Sequence, residues 1–215
     1  ASRLSLGADV DKIKTIEELE RLYPPVVERA LWKEIDHLNA HYRQFVEQAP
    51  FLVLATQGEQ GIDCSPRGDP AGFVRVASQT QLLIPDRRGN NRLDSLRNIV
   101  VNPEVGLIFL IPGVGETLRI RGTAEILTGS ELCESFSIAD KPASSVISVT
   151  VGTAYFQCQK ALARSGLWDP ANRVDRSQLP TAGEMAEFFS RARGVEFDGN
   201  AYDESYPAHL KKTIY

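Results

Sequence analysis

Cysteine is scarce in this chain and does not pair by spacing. Cys64, Cys133 and Cys158 make three, an odd number without a C-x-x-C pair, which argues against a disulfide framework or a zinc ribbon and fits a reducing compartment. Long apolar runs are missing as well. The most apolar stretch, Val105 to Ile111, is far short of the roughly 20 residues that span a bilayer, and the opening ASRLSLGADVDK holds no apolar leader core. A soluble, cytoplasmic protein without a membrane partner is expected. There is no basic excess either: 24 Lys and Arg stand against 28 Asp and Glu, a net charge of −4. That balance gives no support to a nucleic-acid partner, so any anion site has to be local.

The common catalytic signatures are absent too. The chain has no G-x-x-x-x-G-K-[ST] loop, no G-x-G-x-x-G after a strand and no G-x-S-x-G elbow. Of its three histidines only His209 lies outside the N-terminal helical region, which leaves a Ser-His-Asp triad hard to assemble. His37 and His41 have the i, i+4 spacing of a helical zinc pair, but no third ligand accompanies them and the H-E-x-x-H glutamate is missing. They are read as helix-surface or interface residues, with no metal site.

What the sequence does have centres on Leu82 to Val101, LLIPDRRGNNRLDSLRNIVV. An apolar run stops at Pro85, which lacks a donor and closes a strand. Six polar or turn-forming residues follow, and then Leu93, Leu96 and Val100 fall on one helical face. Asn91 is read as the N-cap and Asp94 as a first-turn acid. Strand, basic loop and helix start together make a natural anion site, with Arg87, Arg88 and Arg92 as charged donors. The alternative is a solvated turn whose arginines pair with Asp86 and Asp94.

At 215 residues the chain is one domain or two small ones, with room for an ample core. Thr15 to Gln48 reads as helical, interrupted at Pro24-Pro25, with Val27, Leu31, Ile35, Leu38, Tyr42 and Phe45 on one stripe. After Pro50, Phe51 to Thr56 and Ile62 to Ser65 form a hairpin, and Phe73 to Val76 and Gln81 to Pro85 continue the β pattern. Val105 to Ile111 and Thr117 to Leu127 are further strands. In the latter, Leu118, Ile120, Ala124 and Ile126 alternate with Thr117, Arg119, Arg121, Thr123 and Glu125, so the two arginines meet either a ligand or a wet sheet face.

A helix at Ser130 to Ala139, a strand at Val146 to Val151 and a helix at Phe156 to Arg164 come next. Lys160 and Arg164 share a face of that helix and either meet an anion or compensate the dipole. Gly166 stops the helix, and Thr181 with Glu184 caps a last one. Tyr202 to Tyr215 fits no pattern. Consecutive short-linked strands favour an antiparallel barrel or sandwich, and a barrel with a phosphate loop but no acid–base machinery suggests a cofactor that brings its own reactivity.

Three stretches carry a resemblance: Ser65-Pro66-Arg67-Gly68-Asp69, the run from Leu83 to Ile99, and Glu116-Thr117-Leu118-Arg119-Ile120-Arg121-Gly122. They resemble the pyridoxamine 5′-phosphate oxidase-like FMN-binding split-barrel superfamily, and more narrowly its subgroup of FMN-dependent proteins of unassigned activity. The likeness runs from about Leu38 to Trp168. It implies a mainly β, α+β fold: an antiparallel split barrel with peripheral helices. Residues 1–49 would be a helical segment on the barrel, 50–168 the FMN-binding domain and 169–215 a C-terminal extension.

The resemblance further implies a homodimer with FMN in clefts between subunits. Ser65, Arg67, Arg88, Asn90, Asn91 and Arg92 would hold the phosphate side, although Gly89-Asn90-Asn91-Arg92 stands where the family has an Arg-Lys pair. Ile84 and Pro85 match the backbone beside the isoalloxazine ring, and Thr117 stands at a ring-binding position. Lys160, Arg164 and Trp168 would come from the second subunit. The oxidase's C-terminal arginine and histidine pattern is absent, so vitamin B6 oxidation is not expected. What the resemblance leaves is an FMN-dependent oxidoreductase for an unidentified small molecule, with NAD(P)H as a candidate electron donor and no assigned catalytic residue. The alternatives are a non-catalytic flavin binder and a related barrel using deazaflavin or haem.

Overall fold

The structure, a computed structural model, describes residues 12–215. The chain divides into two compact units, one running to Glu34 and one from Ile35 to Tyr215. In the first, α1 (Ile16–Glu20) opens with a capping box between Thr15 and Glu18, and α2 (Glu28–Leu31) is a single turn.

The second unit is built on one seven-stranded antiparallel sheet in the order β2-β1-β5-β6-β7-β4-β3. Its strands are β1 (Phe51–Gly58), β2 (Gly61–Gly68), β3 (Arg75–Ser78), β4 (Gln81–Asp86), β5 (Glu104–Leu110), β6 (Thr117–Leu127) and β7 (Ser145–Gln157). The helices α3 (Ala40–Gln48), α4 (Asp94–Val101), α5 (Ser130–Glu134), α6 (Lys160–Ser165), α7 (Ala182–Arg191) and α8 (Gly199–Thr213) lie around it. This is a split β-barrel with peripheral helices. Inward-facing Leu52, Leu54, Leu82, Ile84, Phe109, Leu118, Ile147 and Val149 are fully buried. Alternation on half-buried strands accounts for that set: in β6, Leu118, Ile120 and Ala124 point in while Arg119 and Arg121 point out. Arg119 donates to Gln157 Oε1 (3.2 Å) and lies over the Tyr155 ring. Arg119 is thus exposed on the outer face of the strand with local partners. Thr117, grouped by alternation with the outer face, is buried instead.

Several expected elements are reshaped by local competition. The helix read through Ile35 and Leu38 does not continue. Ile35 leaves it to exchange hydrogen bonds with Ala154 of β7 (3.0 and 2.7 Å), and Asn39 starts α3 afresh by accepting from Tyr42 N (2.9 Å). His37 thus precedes α3 while His41 lies within it, and the two do not share a helical face. Among the described residues no group of three His, Cys, Asp or Glu is placed to hold a metal.

Helix α5 ends at Glu134 rather than at Ala139, and Ala139 with Asp140, both left-handed, forms the turn of the Ile138–Lys141 bridge. Strand β7 runs on through Phe156 and Gln157, which shortens the following helix to α6, closed by left-handed Gly166 (φ 58°). The Thr181–Glu184 capping box opens α7 as expected. Tyr202 to Tyr215 falls largely in α8, capped by Asp198. No described helix is long and apolar enough to cross a membrane.

Hydrogen-bonded ladders leave β2 at one end of the sheet and the β3–β4 hairpin at the other. Side chains bring these ends together. Arg67 of β2 donates from Nη1 to Asp86 Oδ1 of β4, and Arg87, just past β4, donates from Nε to Asp69 Oδ2, just past β2 (2.9 Å). Two ion pairs thus cross in opposite senses. All four side chains are largely buried, at 17% and 9% exposure for Arg67 and Asp86 and 17% and 5% for Arg87 and Asp69.

This packing sets the expected stability of four variants. At the β6–β7 irregularity Gly122 opposes Val151 while Gly152 is skipped, and a Cβ on Gly122 would fall on the Thr150 carbonyl oxygen. Gly122→Ala is expected to lower unfolding stability in urea by about 2 kcal/mol, the usual cost of overpacking. Gly89→Ala, where a Cβ meets nothing, should stay within about 0.5 kcal/mol of the parent. Asp86→Ala strands the Arg67 charge and should cost about 3 kcal/mol. The double variant Arg67→Met with Asp86→Leu should recover most of that loss in the same denaturation assay.

Candidate functional site

Strand β2 breaks the usual amphipathic rule. Asp63, Ser65, Arg67 and, beyond the strand, Asp69 alternate as the half-buried positions, while Ile62, Cys64, Pro66 and Gly68 are exposed. A polar strand face turned inward while an isoleucine faces solvent marks a lined site rather than a packing surface. That face forms one wall of a cleft of about 640 Å³. Pro85, Asp86 and the loop from Arg87 to Arg92 form another wall, and the first turn of α4 closes it.

The loop geometry differs from the sequence reading in one respect. Asn91 does not cap the helix: it is left-handed (φ 58°), as is Leu93 (φ 60°), the residue that occupies the cap position. Asn90 organises the turn instead by accepting from Arg92 N (3.0 Å). With no side-chain cap on α4, the first helical hydrogen bond runs from Arg97 N to Leu93 O (2.8 Å). The N–H groups of Asp94, Ser95 and Leu96 are then left over at the positive end of the dipole, and all three residues line the cleft.

Charge in the cleft balances, with Arg67, Arg87, Arg88 and Arg92 against Asp63, Asp69, Asp86 and Asp94. Recognition of an anion here depends on where free donors point rather than on net charge. Arg92 is taken up by Asp94 (Nε to Oδ2, 2.8 Å), but both are exposed, and such pairs are worth little. The solvated-turn reading holds for this pair alone: Asp86 is bound by Arg67, and Arg87 turns to Asp69. Arg67 Nε and Arg87 Nη1 are buried without a hydrogen-bond partner. A buried donor without a partner costs about 1–3 kcal/mol, so these two nitrogens mark where an acceptor belongs.

Of the residues singled out by sequence, Ser65, Arg67, Pro85, Arg88, Asn90, Asn91 and Arg92 come together in this cleft. Ile84 does not line it. Its side chain is fully buried, with its backbone paired opposite Ile147. Thr117, Lys160, Arg164 and Trp168 do not line it in this chain either. Thr117 pairs opposite Gln157, and the Trp168 indole donates to the Val114 carbonyl (2.8 Å), so they belong to the β6–β7–α6 end. The sequence reading leaves out Asp69, and it names Arg87 as a donor of the basic loop but not among the residues that the resemblance assigns to the flavin phosphate. The available signal was the complementary order Arg67-Gly68-Asp69 against Asp86-Arg87.

No curated protein matches the chain. Among solved structures, HupZ of Group A Streptococcus is 17% identical with a TM-score of 0.44, the match covering 54% of this chain and 91% of that one. General Stress Protein 26 from Bacillus anthracis strain Sterne is 16% identical (TM-score 0.42, 53% and 88% covered), and an F420 reductase is 18% identical (0.40, 56% and 98%). The family profile described as pyridoxamine 5′-phosphate oxidase matches residues 38–158, more than half of the chain and the whole of the barrel with its cleft. The chain therefore belongs to the pyridoxamine 5′-phosphate oxidase family.

Proposed function

We propose that this chain is an FMN-binding protein that works as an FMN-dependent oxidoreductase on a small molecule, the flavin phosphate seated in the Arg67–Arg87 cleft. The observation that carries the reading is the pair of buried, unpartnered guanidinium nitrogens, Arg67 Nε and Arg87 Nη1, beside the uncapped start of α4. Charge-assisted donors and a helix N-terminus suit a phosphate dianion. When bound, FMN would supply two-electron exchange at its N5, chemistry that this chain's side chains do not themselves provide.

The chain's residues would bind and orient. Arg67 and Arg87 are held in direction by Asp86 and Asp69, so their remaining nitrogens are fixed before any ligand arrives, which lowers the ordering cost of binding. Asn90, Asn91 and Arg92 form an exposed rim and contribute less. The main chain of Ile84 and Pro85 would run beside the ring. Lys160, Arg164 and Trp168, which lie outside the cleft of their own chain, would reach it from a second copy in a homodimer. A haem reading lacks support at this site, because none of the three histidines lines the cleft and haem iron takes an axial ligand from the protein.

The purified protein is expected to show flavin absorption bands and to release a molecule of FMN mass on heating. Bound flavin should be reduced by NADH or NADPH in anaerobic stopped-flow mixing. A colourless protein that takes up no added FMN removes this reading, and a flavin that neither nucleotide reduces leaves a binder without the oxidoreductase. Arg87→Ala is expected to weaken FMN binding about 10- to 100-fold, the loss of a hydrogen bond to a charged group. Asn91→Ala with Arg92→Ala should change it by no more than about threefold, because these rim side chains are exposed. Equal losses for the two variants would move the phosphate out to the rim.

A further inference from the structure

Arg87 is gripped on a second side by a residue from the far end of the sequence. The Tyr215 ring lies against its guanidinium, with the centroid 5.9 Å from Cζ. The main-chain oxygen of Tyr215 accepts from Lys141 Nζ, which ties the segment after α8 to the turn that follows α5. The phenol is turned toward the Asp69 carboxylate. Burial, then the charge of Asp69 and hydrogen bonding to it, raise the phenol above the ordinary tyrosine range, with Arg87 pulling weakly the other way. Tyr215 does not line the cleft. It stands behind the Asp69–Arg87 pair.

We propose that Tyr215 is a positioning residue for the anion cleft: its ring backs the Arg87 guanidinium and its phenol shares the Asp69 carboxylate, so Arg87 keeps Nη1 turned toward the ligand phosphate. This rests on the phosphate reading of the cleft given above. Asp69 accepts from Arg87 Nε at 2.9 Å and stands close enough to the phenol to act on its proton. A carboxylate that also accepts from a neutral hydroxyl competes less for the second guanidinium nitrogen, and that nitrogen is the one without a partner. The aromatic face adds cation–π attraction to the guanidinium. Lys141 fixes the ring's position without touching the cleft.

The test is the ratio of the riboflavin to the FMN dissociation constant, which isolates the phosphate from the ring system. In Tyr215→Phe the ratio is expected to fall about fivefold, the size of one neutral hydrogen bond lost. In Tyr215→Ala it should fall further, and in Lys141→Met, which leaves the cleft untouched, it should fall in the same sense. A merely structural loosening would weaken both ligands alike and leave the ratio unchanged, and an unchanged ratio in all three variants overturns the proposal. If the parent protein binds FMN no more tightly than riboflavin, the cofactor reading fails by itself, and inorganic phosphate becomes the probe. Weaker phosphate binding in Tyr215→Phe than in the parent then still supports the positioning role. Equal binding, or none in either protein, overturns it.

Discussion

The crossed ion pairs, Arg67 to Asp86 and Arg87 to Asp69, are the constraint on which the rest of the molecule depends. Ladder hydrogen bonds carry the sheet from β2 through β1, β5, β6 and β7 to the β4–β3 hairpin and then stop. Among the described residues no backbone ladder pairs the two ends. The closure is made by side chains of mirrored order, basic then acidic after β2 and acidic then basic after β4, and the four groups are largely buried. Charges taken out of water in this way are stable only when paired, so closure of the barrel and construction of the cleft are one event.

That economy has a consequence for recognition. A guanidinium has five donors in a fixed fork, and one carboxylate cannot satisfy them all. Each arginine therefore turns one side to its aspartate and keeps a buried nitrogen over. The cleft has no net charge among its lining arginines and aspartates, yet it has direction: two preset guanidinium donors and the open first turn of α4. An anion with several oxygens is the ligand proposed for such a set. The left-handed backbone at Asn91 and Leu93 belongs to the same design, since a non-glycine residue in that region carries strain and here one such residue lies within the rim and the other directly after it.

Much of this was legible in the sequence, and the parts that were not have physical reasons. Period-two alternation placed β6 and its inward face, and apolar runs ending at Pro or Gly located β1, β4 and β5, because local pattern and burial agree there. The capping box at Thr181 and the stop at Gly166 are chemistry of a few neighbouring residues and were equally readable. The helix through Ile35 was misread because its stripe of apolar residues is real, while the bridge from Ile35 to Ala154 is a contact across more than a hundred residues that no local pattern contains. The same holds at the site. The strand, the loop and the helix start could be read in line, but the pairing of Arg87 with Asp69 and the approach of Tyr215 are tertiary facts. Asn91 looked like a cap by residue type, and Asn90 took the organising role because the chain turns left-handed one residue later.

The central claim is that the nitrogens left over from barrel closure are reserved for a phosphate. The most direct measurement is a crystal structure of the protein saturated with FMN. The account predicts phosphate oxygens about 2.7–2.9 Å from Arg67 Nε and Arg87 Nη1, the range of charge-assisted bonds, with both ion pairs still in place. A phosphate bound elsewhere, with those two nitrogens still lacking a partner, would contradict it.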